Sequence, residues 1–580
     1  MDPDNYRAIA LSCCFSKFYA AVLNQRLLKF AIENNIISEN QLGFMPGNRT
    51  SDALIILHNL VNKYCIKRNK YIYACYVDFK KAFDTVPRHI LFQKLLSYNI
   101  NGKFYNSIKN MYSQDLACIC LDDEISDAFS INQGVKQGCI LSPLLFNIFI
   151  SDLTNALDVG ENHPVRIDET KTLNSLIWAD DLLLLSETEK GLNNMLKNLE
   201  KYTTANLIKV NLDKTKCMIF NKTGRLLRRN FWFETKRVEV VREYRYLGFL
   251  ITPSLNLHTA LSDLKDRGLR AFGALKSKLG VLFRKHILTT IHLFDSLVKP
   301  ILLYASDFWG CLKLPKVNPV ETLHIKFCKD LLGVQTQTSN LGVLLELGRI
   351  PLHIYGKKYS AKNWERISLK RNANTVLLNS YDNSLENGWA NSMKNTFSNI
   401  GLAHLFLNEQ TPSRAPNTQM FLREKHIFEQ EALSNIKNMS KLESYSFVKQ
   451  KSVFEGYLVS VQNVSERIAL SKLRLSNHNL MIEKGRHVGM ARSERVCPFC
   501  QDHIEDESHF LIKCPAYSSL RQKLFVDIKQ TIIGFYYPKN EQFLFWFLLN
   551  NPTISNFVAR FIKRAMDLRA FLLENHRNNS

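Results

Sequence analysis

Apolar residues recur three and four positions apart over residues 11–32 and again over 51–68, the spacing that gathers them on one face of a helix. The stretch between, "QLGFMPGNRTSD", is broken by glycine, proline and asparagine and predicts a loop. "YIYACYVDF" is a β-rich run of strand length, and proline near the start of "TVPRHILFQKLLSY" predicts a new helix. "ACICLDDEISDAFSIN" predicts a hairpin turning at Asp122-Asp123-Glu124, and "LSPLLFNIFISDLTNAL" a helix opened by Ser142-Pro143. In "LIWADDLLLLSE", residues 176–187, two apolar arms flank Asp180-Asp181 and predict a hairpin with charge at its tip. A helix over "KGLNNMLKNLEKYTTAN" follows, and the strands "KCMIF" and "VEVVREYRYLGFLI" close the region near residue 252. Strands from distant segments joined by helices predict a mixed α+β layer.

Beyond residue 258 the pattern is almost wholly helical, through "LSDLKDRGLRAFGALKSKLG" and "TTIHLFDSLVKPILLYASDFWG" to about 365. Residues 370–445 are rich in Asn, Ser, Lys and Glu, with "EQTPSRAPNTQ" the clearest flexible stretch, so a linker is expected there. A chain of 580 residues exceeds one core and suggests roughly three to four units. Its 76 Lys and Arg against 53 Asp and Glu, a net +23, favour a polyanionic partner such as nucleic acid. Thirteen scattered cysteines, mostly within apolar stretches, read as reduced thiols and point to an intracellular protein of nucleus or cytoplasm. The acidic opening "MDPDNYRAIALSCCFSK" is unlike a signal peptide. The longest apolar runs, "ILSPLLFNIFI" and "FLFWFLL", fall short of the roughly 18 to 20 residues that span a bilayer, so no membrane segment is expected.

The carboxylates change this picture. Asp78 ends a predicted strand, Asp84 lies six residues on, and an Asp-Asp pair sits at a hairpin tip. Taken singly, each is an ordinary turn or strand-end acid. Gathered together, such like charges repel unless divalent cations neutralise them. Two Mg²⁺ about 3.5 to 4 Å apart on such carboxylates activate a 3′-hydroxyl and stabilise a leaving pyrophosphate, the chemistry of nucleotidyl transfer. Between them, "NQGVKQGCILSPLLF" pairs Gln-Gly steps with a helix start; glycine lets backbone approach a ligand, and Gln137 can meet a nucleotide or template.

In this order and spacing, "VDFKKAFDTV", "GVKQGCILSPLLF", "WADD", "KVNLDKTKCMIF" and "YLGFLIT" resemble the palm of reverse transcriptases of non-LTR (LINE-type) retrotransposons, over residues 1 to about 250. The resemblance implies a right-hand polymerase with Asp78, Asp180 and Asp181 as its Mg²⁺ (or Mn²⁺) triad and Phe83 as the aromatic that excludes a ribose 2′-hydroxyl. It further implies Gln137 and Gly138 in the nucleotide pocket, Lys214 near the departing phosphates, Leu247-Gly248 as primer grip, and Arg7 as the fingers arginine on the triphosphate. Trp178 departs from the tyrosine or phenylalanine usual before the aspartate pair. The start inside the fingers and the lack of any endonuclease-like segment suggest an N-terminally truncated copy.

A second constellation, "CPFCQDHIEDESHFLIKC", spaces Cys497-x2-Cys500-x8-His509-x4-Cys514, which fits a tetrahedral structural Zn²⁺ site; His503 is a poorly placed rival. The flanking basic run offers Lys472, Arg474, Arg486, Arg492 and Arg495 to phosphates while the knuckle positions single-stranded RNA. The same Cys-Cys-His-Cys arrangement ends many LINE-type polymerase proteins. The expected organisation is therefore fingers and palm over 1–252, a thumb-like helical region over 253–365, a linker and helical segment over 366–465, a zinc knuckle region over 466–525 and a helical tail over 526–580. The expected activity is RNA-directed DNA synthesis from an RNA template, a DNA primer or target and dNTPs, in an undetermined oligomeric state. The alternative is a catalytically silent nucleic-acid-binding remnant.

Overall fold

The computed structural model describes residues 9–578, apart from 114, 122–123, 370–374 and 408–414. It divides into two compact units, one of residues 1–260, 307–313 and 360–407, the other of 261–306, 314–359 and 408–580. Arg7 and the Asp122-Asp123 turn lie outside the described residues.

The first unit is built on a sheet of four antiparallel strands, β1 (Ile72–Asp78), β2 (Ser175–Trp178), β3 (Asp181–Ser186) and β4 (Lys216–Phe220), in the order β4-β1-β3-β2. Its strand sequences show no alternation because both faces are covered, and a strand buried on two sides needs apolar residues at successive positions. Cys75, Val77, Leu182, Leu184, Cys217 and Ile219 enter one core with the helices Cys14–Glu33, Arg88–Ser97, Ser142–Phe149 and Glu189–Ala205. The other set, Ala74, Tyr76, Leu183, Leu185 and Met218, is equally buried on the opposite face. The helix expected over "LSPLLFNIFISDLTNAL" breaks after Phe149 and resumes at Leu153. The last predicted strand is a hairpin, Tyr244–Tyr246 against Phe249–Ile251.

Within 366–465, expected as a linker and helical segment, the stretch read as linker is corrected by packing: its described residues form helices. The helix Thr50–Val61 is buried on nearly every side, because Thr375–Asp382 and Trp389–Asn399 return to cover it. Asn59 joins the two: its amide donates to the Ser380 carbonyl at 3.1 Å, and its carbonyl accepts from Trp389 N–H at 2.9 Å. Trp389, wholly buried, also donates its indole N–H to the Phe308 carbonyl at 2.7 Å. Low sequence hydrophobicity hid these few anchoring residues. The second half of "EQTPSRAPNTQ" is likewise ordered, opening the helix Pro416–Lys437 with proline in its first turn.

The second unit is helical and organised by buried ion pairs. Arg474, fully buried, bonds Glu346 at 2.7 Å, Glu455 at 3.0 Å and the Leu549 carbonyl at 2.7 Å, while the Tyr445 and Tyr457 hydroxyls donate to Glu346. The expected tail is part of this core: Ser555–Asn578 packs along Val464–Arg474 and Ser518–Thr531. Among the described residues no helix is long and apolar enough to cross a membrane.

His58, on Thr50–Val61, packs its ring on Phe308 at 5.5 Å, and burial holds its imidazole down to about 4. The unfolded chain takes up that proton near 6.5, so the contribution is complete above this pH and is lost as pH falls towards 4. Burial raises the Asp52 carboxyl on the same helix to about 6, which adds stability as pH falls over the same window. Urea titrations should therefore show the difference between wild type and His58→Gln, not the total, changing by up to about 3 kcal/mol between pH 6.5 and 4. An unchanged slope in the variant would remove His58 as the cause.

Candidate active site and Cys-His cluster

Antiparallel pairing of β1 with β3 sets Asp78 directly opposite Asp181, and the β2-β3 hairpin pairs Trp178 with Asp181 across the two-residue turn Ala179-Asp180. Directly paired residues have Cα atoms about 4.5 to 5.5 Å apart, so register alone brings the three aspartates to one end of the sheet. All three are half-buried at the rim.

The tip is held by a loop that sequence reading took only as punctuation. Gln41 bridges to Ile177 in parallel, with Leu42 N–H donating to the Ile177 carbonyl at 2.8 Å and Ile177 N–H to the Asn40 carbonyl at 2.8 Å. The Gln41 side-chain carbonyl accepts from Gly43 N–H at 2.8 Å and Ala179 N–H at 3.2 Å, and Asn147 holds the Gly43 carbonyl at 2.9 Å. A Cβ on Gly43 would lie 2.3 Å from the Ala179 nitrogen, so only glycine admits this contact. Ala179 itself sits at φ +57°, a strained conformation for a residue with a Cβ.

Asp78 is fixed from the other side. Asn211 donates its side-chain amide to the Asp78 carboxylate at 3.0 Å and its N–H to the Asp78 carbonyl at 2.7 Å, Thr215 accepts the Asp78 N–H at 3.2 Å, and Lys214 stands 4.0 Å from the carboxylate. Beneath, Tyr76 stacks on Tyr244 at 4.2 Å and lies 5.3 Å from Tyr246. Burial, then Asp181, push the Tyr244 and Tyr246 phenols well above the tyrosine range, with Asp78 adding to the effect at Tyr244. Negative charge is thus concentrated over an apolar aromatic floor, an arrangement that favours divalent cations. Leu247 and Gly248 both take positive φ in the adjoining hairpin turn, +47° and +78°, the pattern of a type I′ turn.

Phe83 stacks on Phe146 at 4.8 Å with an interplanar angle of 20° and meets Phe44 edge-on at 6.3 Å, so its ring is fixed. The Gln137 amide donates to both Asp84 oxygens at 3.0 Å. Gly138 adopts φ +106°, where a Cβ would stand 2.9 Å from the Ala10 carbonyl oxygen. Arg88, passed over in the sequence, organises this loop: it bonds Asp115 at 2.9 Å and the carbonyls of Gly134 and Tyr112, while Lys136 pairs with Asp115 at 2.6 Å.

In the second unit the ligand atoms of Cys497, Cys500, His509 and Cys514 lie within 4.8 Å of one another. The closest approaches are 3.7 Å between the Cys497 and Cys514 sulfurs and 3.4 Å from Cys500 Sγ to His509 Nε2. His503 takes another role, its carbonyl accepting Cys497 N–H at 2.8 Å and its ring stacking on His509 at 5.5 Å. The cluster is built into the core and is not a free knuckle: Arg521 donates to the Cys514 carbonyl at 2.9 Å, and Arg569 clamps Glu505 at 2.8 and 2.6 Å.

The basic residues expected on phosphates need correcting. Arg474 is spent wholly inside, on Glu346 and Glu455. Arg495 turns onto the Met490 and Ile482 carbonyls, and Arg486 pairs with Glu483 at 2.7 Å. Arg492 is half exposed but paired with Glu443 at 2.6 Å, and Lys472 is half-buried. Local carboxylates and carbonyls, invisible in a linear count of charge, claim most of these side chains.

A carboxylate triad on a β-hairpin and a neighbouring strand end, floored by aromatics, defines the class as a right-hand polymerase palm. More narrowly, residues 2–251 match the reverse transcriptase (RNA-dependent DNA polymerase) family, so this segment is a reverse-transcriptase domain. The chain is similar to the probable RNA-directed DNA polymerase from transposon BS of Drosophila melanogaster, 26% identical over 336 residues, 55% of this chain and 35% of that one. It is also similar to the RNA-directed DNA polymerase from mobile element jockey of Drosophila funebris, 22% identical and covering 57% of this chain and 36% of the relative. A third relative is the Pol polyprotein from type-2 retrotransposable element R2DM of Drosophila melanogaster, 27% identical and covering 43% of this chain and 24% of the relative. These relatives bear out the LINE-type resemblance. The chain spans about a third of the length of the first two. Among solved structures, apo telomerase from Candida tropicalis is similar with a TM-score of 0.31 and 12% identity, covering 73% of this chain and 58% of that one.

The tip geometry is testable by stability. Ala179→Gly should raise the first unit's unfolding free energy by about 0.5 to 1 kcal/mol by relieving positive φ. Gly43→Ala should lower it by about 3 kcal/mol, since backbone must move apart. Urea unfolding that finds Gly43→Ala without cost would show that the loop does not hold the tip.

Proposed function

We propose that this chain is a retrotransposon RNA-directed DNA polymerase that extends a primer 3′-hydroxyl with dNTPs on an RNA template. The observation that carries the reading is the register placing Asp78 opposite Asp181 with Asp180 in the adjoining turn. The donor set fits Mg²⁺ or Mn²⁺: three hard carboxylates share one end of the sheet, and two of them, Asp181 and Asp78, already perturb neighbouring phenols. When bound, such ions lower the 3′-hydroxyl pKa and neutralise charge on the leaving pyrophosphate. Asp78, Asp180 and Asp181 would hold them, while Asn211 and the Gln41 loop keep the carboxylates fixed so that little reorganisation accompanies reaction.

In the reaction the 3′-oxygen loses its proton and bonds to the α-phosphorus of the dNTP as the bond to pyrophosphate breaks. Lys214, anchored beside Asp78, supplies positive charge to the departing phosphates. The Phe83 ring, immobilised by Phe146, blocks space a ribose 2′-hydroxyl would need. Gln137 offers its amide to the nucleotide, oriented by Asp84, and Gly138, closely approached by Ala10, shapes the backbone beside it. The Leu247-Gly248 turn presents backbone to the primer end. Asp180→Asn keeps shape but removes charge, so primer extension with Mg²⁺ should fall at least about 100-fold while RNA binding stays within about twofold. Equal loss of both would assign Asp180 to folding, and a wild-type chain inactive with both Mg²⁺ and Mn²⁺ would leave a nucleic-acid-binding remnant.

The Cys497, Cys500, His509 and Cys514 set is assigned a structural Zn²⁺, since three thiolates and an imidazole around one point suit a closed tetrahedral shell. Because the cluster is tied by Arg521 and by the Arg569-Glu505 pair into the helical core, metal loss reaches beyond the knuckle. Cys514→Ser should release about one Zn²⁺ per chain and destabilise the entire second unit cooperatively. Elemental analysis without zinc in wild-type protein would end the assignment.

A further inference from the structure

The second unit contains a cleft of about 280 Å³ beside the Cys-His cluster, and its wall is unfinished in a specific way. Glu483 is only 3% exposed, yet its Oε2 has no hydrogen-bond partner; beside it, Arg486 Nη1 lies 2.7 Å from Glu483 Oε1 and makes no hydrogen bond of proper geometry. Buried polar atoms are almost always satisfied, so the unpartnered Glu483 Oε2, beside an Arg486 held by an ion pair to the other oxygen, points to a ligand that supplies a donor there. Most of the lining is polar, with Lys441, Glu443, Asp506 and Glu507 among it; its apolar part is Ile482 and Phe545, both buried, and the Phe447 ring, 39% exposed and 6.5 Å from Phe545. A flat ligand with an aromatic face and an edge of adjacent donor and acceptor fits these demands.

We propose that this cleft takes one unpaired guanine of a single-stranded RNA, stacked on Phe447 and read by Glu483 and Arg486, an inference that rests on the polymerase reading of the chain. The guanine N1–H and N2–H donate to the Glu483 carboxylate, and the neighbouring O6 accepts from Arg486, a match of edges. Uracil presents carbonyls on both sides of one N–H, which face the carboxylate unfavourably; adenine and cytosine each present one amino group beside a ring-nitrogen acceptor, one donor fewer toward the carboxylate than guanine. Extruded bases stacked on aromatic side chains and read on their Watson–Crick edges are the usual means of sequence-specific RNA recognition. Arg492, half exposed and paired with Glu443, also lines the cleft.

The test uses the full zinc-loaded chain without divalent polymerase metals, and labelled heptauridine carrying one central guanosine, inosine or adenosine, followed by fluorescence anisotropy. Wild type should prefer guanosine over adenosine by about tenfold, with inosine, which lacks the N2 amine, roughly threefold weaker than guanosine. Glu483→Gln should abolish the preference with zinc content unchanged, and Phe447→Ala, at an exposed position, should weaken the guanosine oligomer alone. Ultraviolet crosslinking of the guanosine oligomer should map to the Phe447 peptide. No binding of any oligomer would overturn the nucleic-acid reading together with this one. Binding without base preference, or a preference that survives Glu483→Gln, would overturn the guanine site alone. An arginine-containing peptide that crosslinks at Phe447 when guanosine does not would assign the cleft to a protein partner.

Discussion

Mutual repulsion among three carboxylates is the constraint on which the first unit is organised. Asp78 and Asp181 are opposite partners of an antiparallel ladder, and Asp180 occupies the turn beside them, so the backbone holds the charges together. A ladder can oppose that repulsion only if both its strands and its turn are immobile. The sheet is therefore buried on both faces, the turn is clamped by Gln41 and Gly43, and Asn211 braces Asp78 from the far side. Even the positive φ of Ala179 follows: a strained residue persists where the surroundings over-determine it.

The second unit solves a different problem. With few long apolar strands to bury, it uses buried ion pairs, Arg474 with Glu346 and the partly exposed Glu455, and Arg569 with Glu505. Such pairs add little net stability over apolar packing, but leaving one partner alone is costly, so each pair fixes which helices meet. The Cys-His cluster belongs to the same scheme, since Arg569 and Arg521 connect the segment bearing its ligands to the helices that follow.

Much of the palm was legible in the residues. The strand ending at Asp78, the hairpin at Asp180-Asp181, the helix start at Ser142-Pro143 and the Cys497 to Cys514 spacing are each local signals, carried by apolar runs, turn residues or ligand intervals. What stayed hidden depends on partners far away in the chain. The segment read as a linker covers Thr50–Val61 through Asn59, Ser380 and Trp389, a contact across more than three hundred residues with no periodicity to announce it. Gly43 looked like any loop glycine until its approach to Ala179 was visible.

By itself, the sequence determined the polymerase motifs, their order and the candidate ligand types, because metal chemistry demands particular residues at particular intervals. The tertiary structure alone decided which charges are free to act. Arg474 and Arg495 look like surface phosphate binders in a basic run, yet one is buried on two glutamates and the other on backbone carbonyls. Glu483 looks like an ordinary helical acid, yet its carboxylate faces a cleft with one oxygen unsatisfied. The physical reason is the same in each case: whether a charge meets solvent, a partner or a ligand depends on the groups that folding brings within a few ångströms, and neighbours along the chain do not specify them.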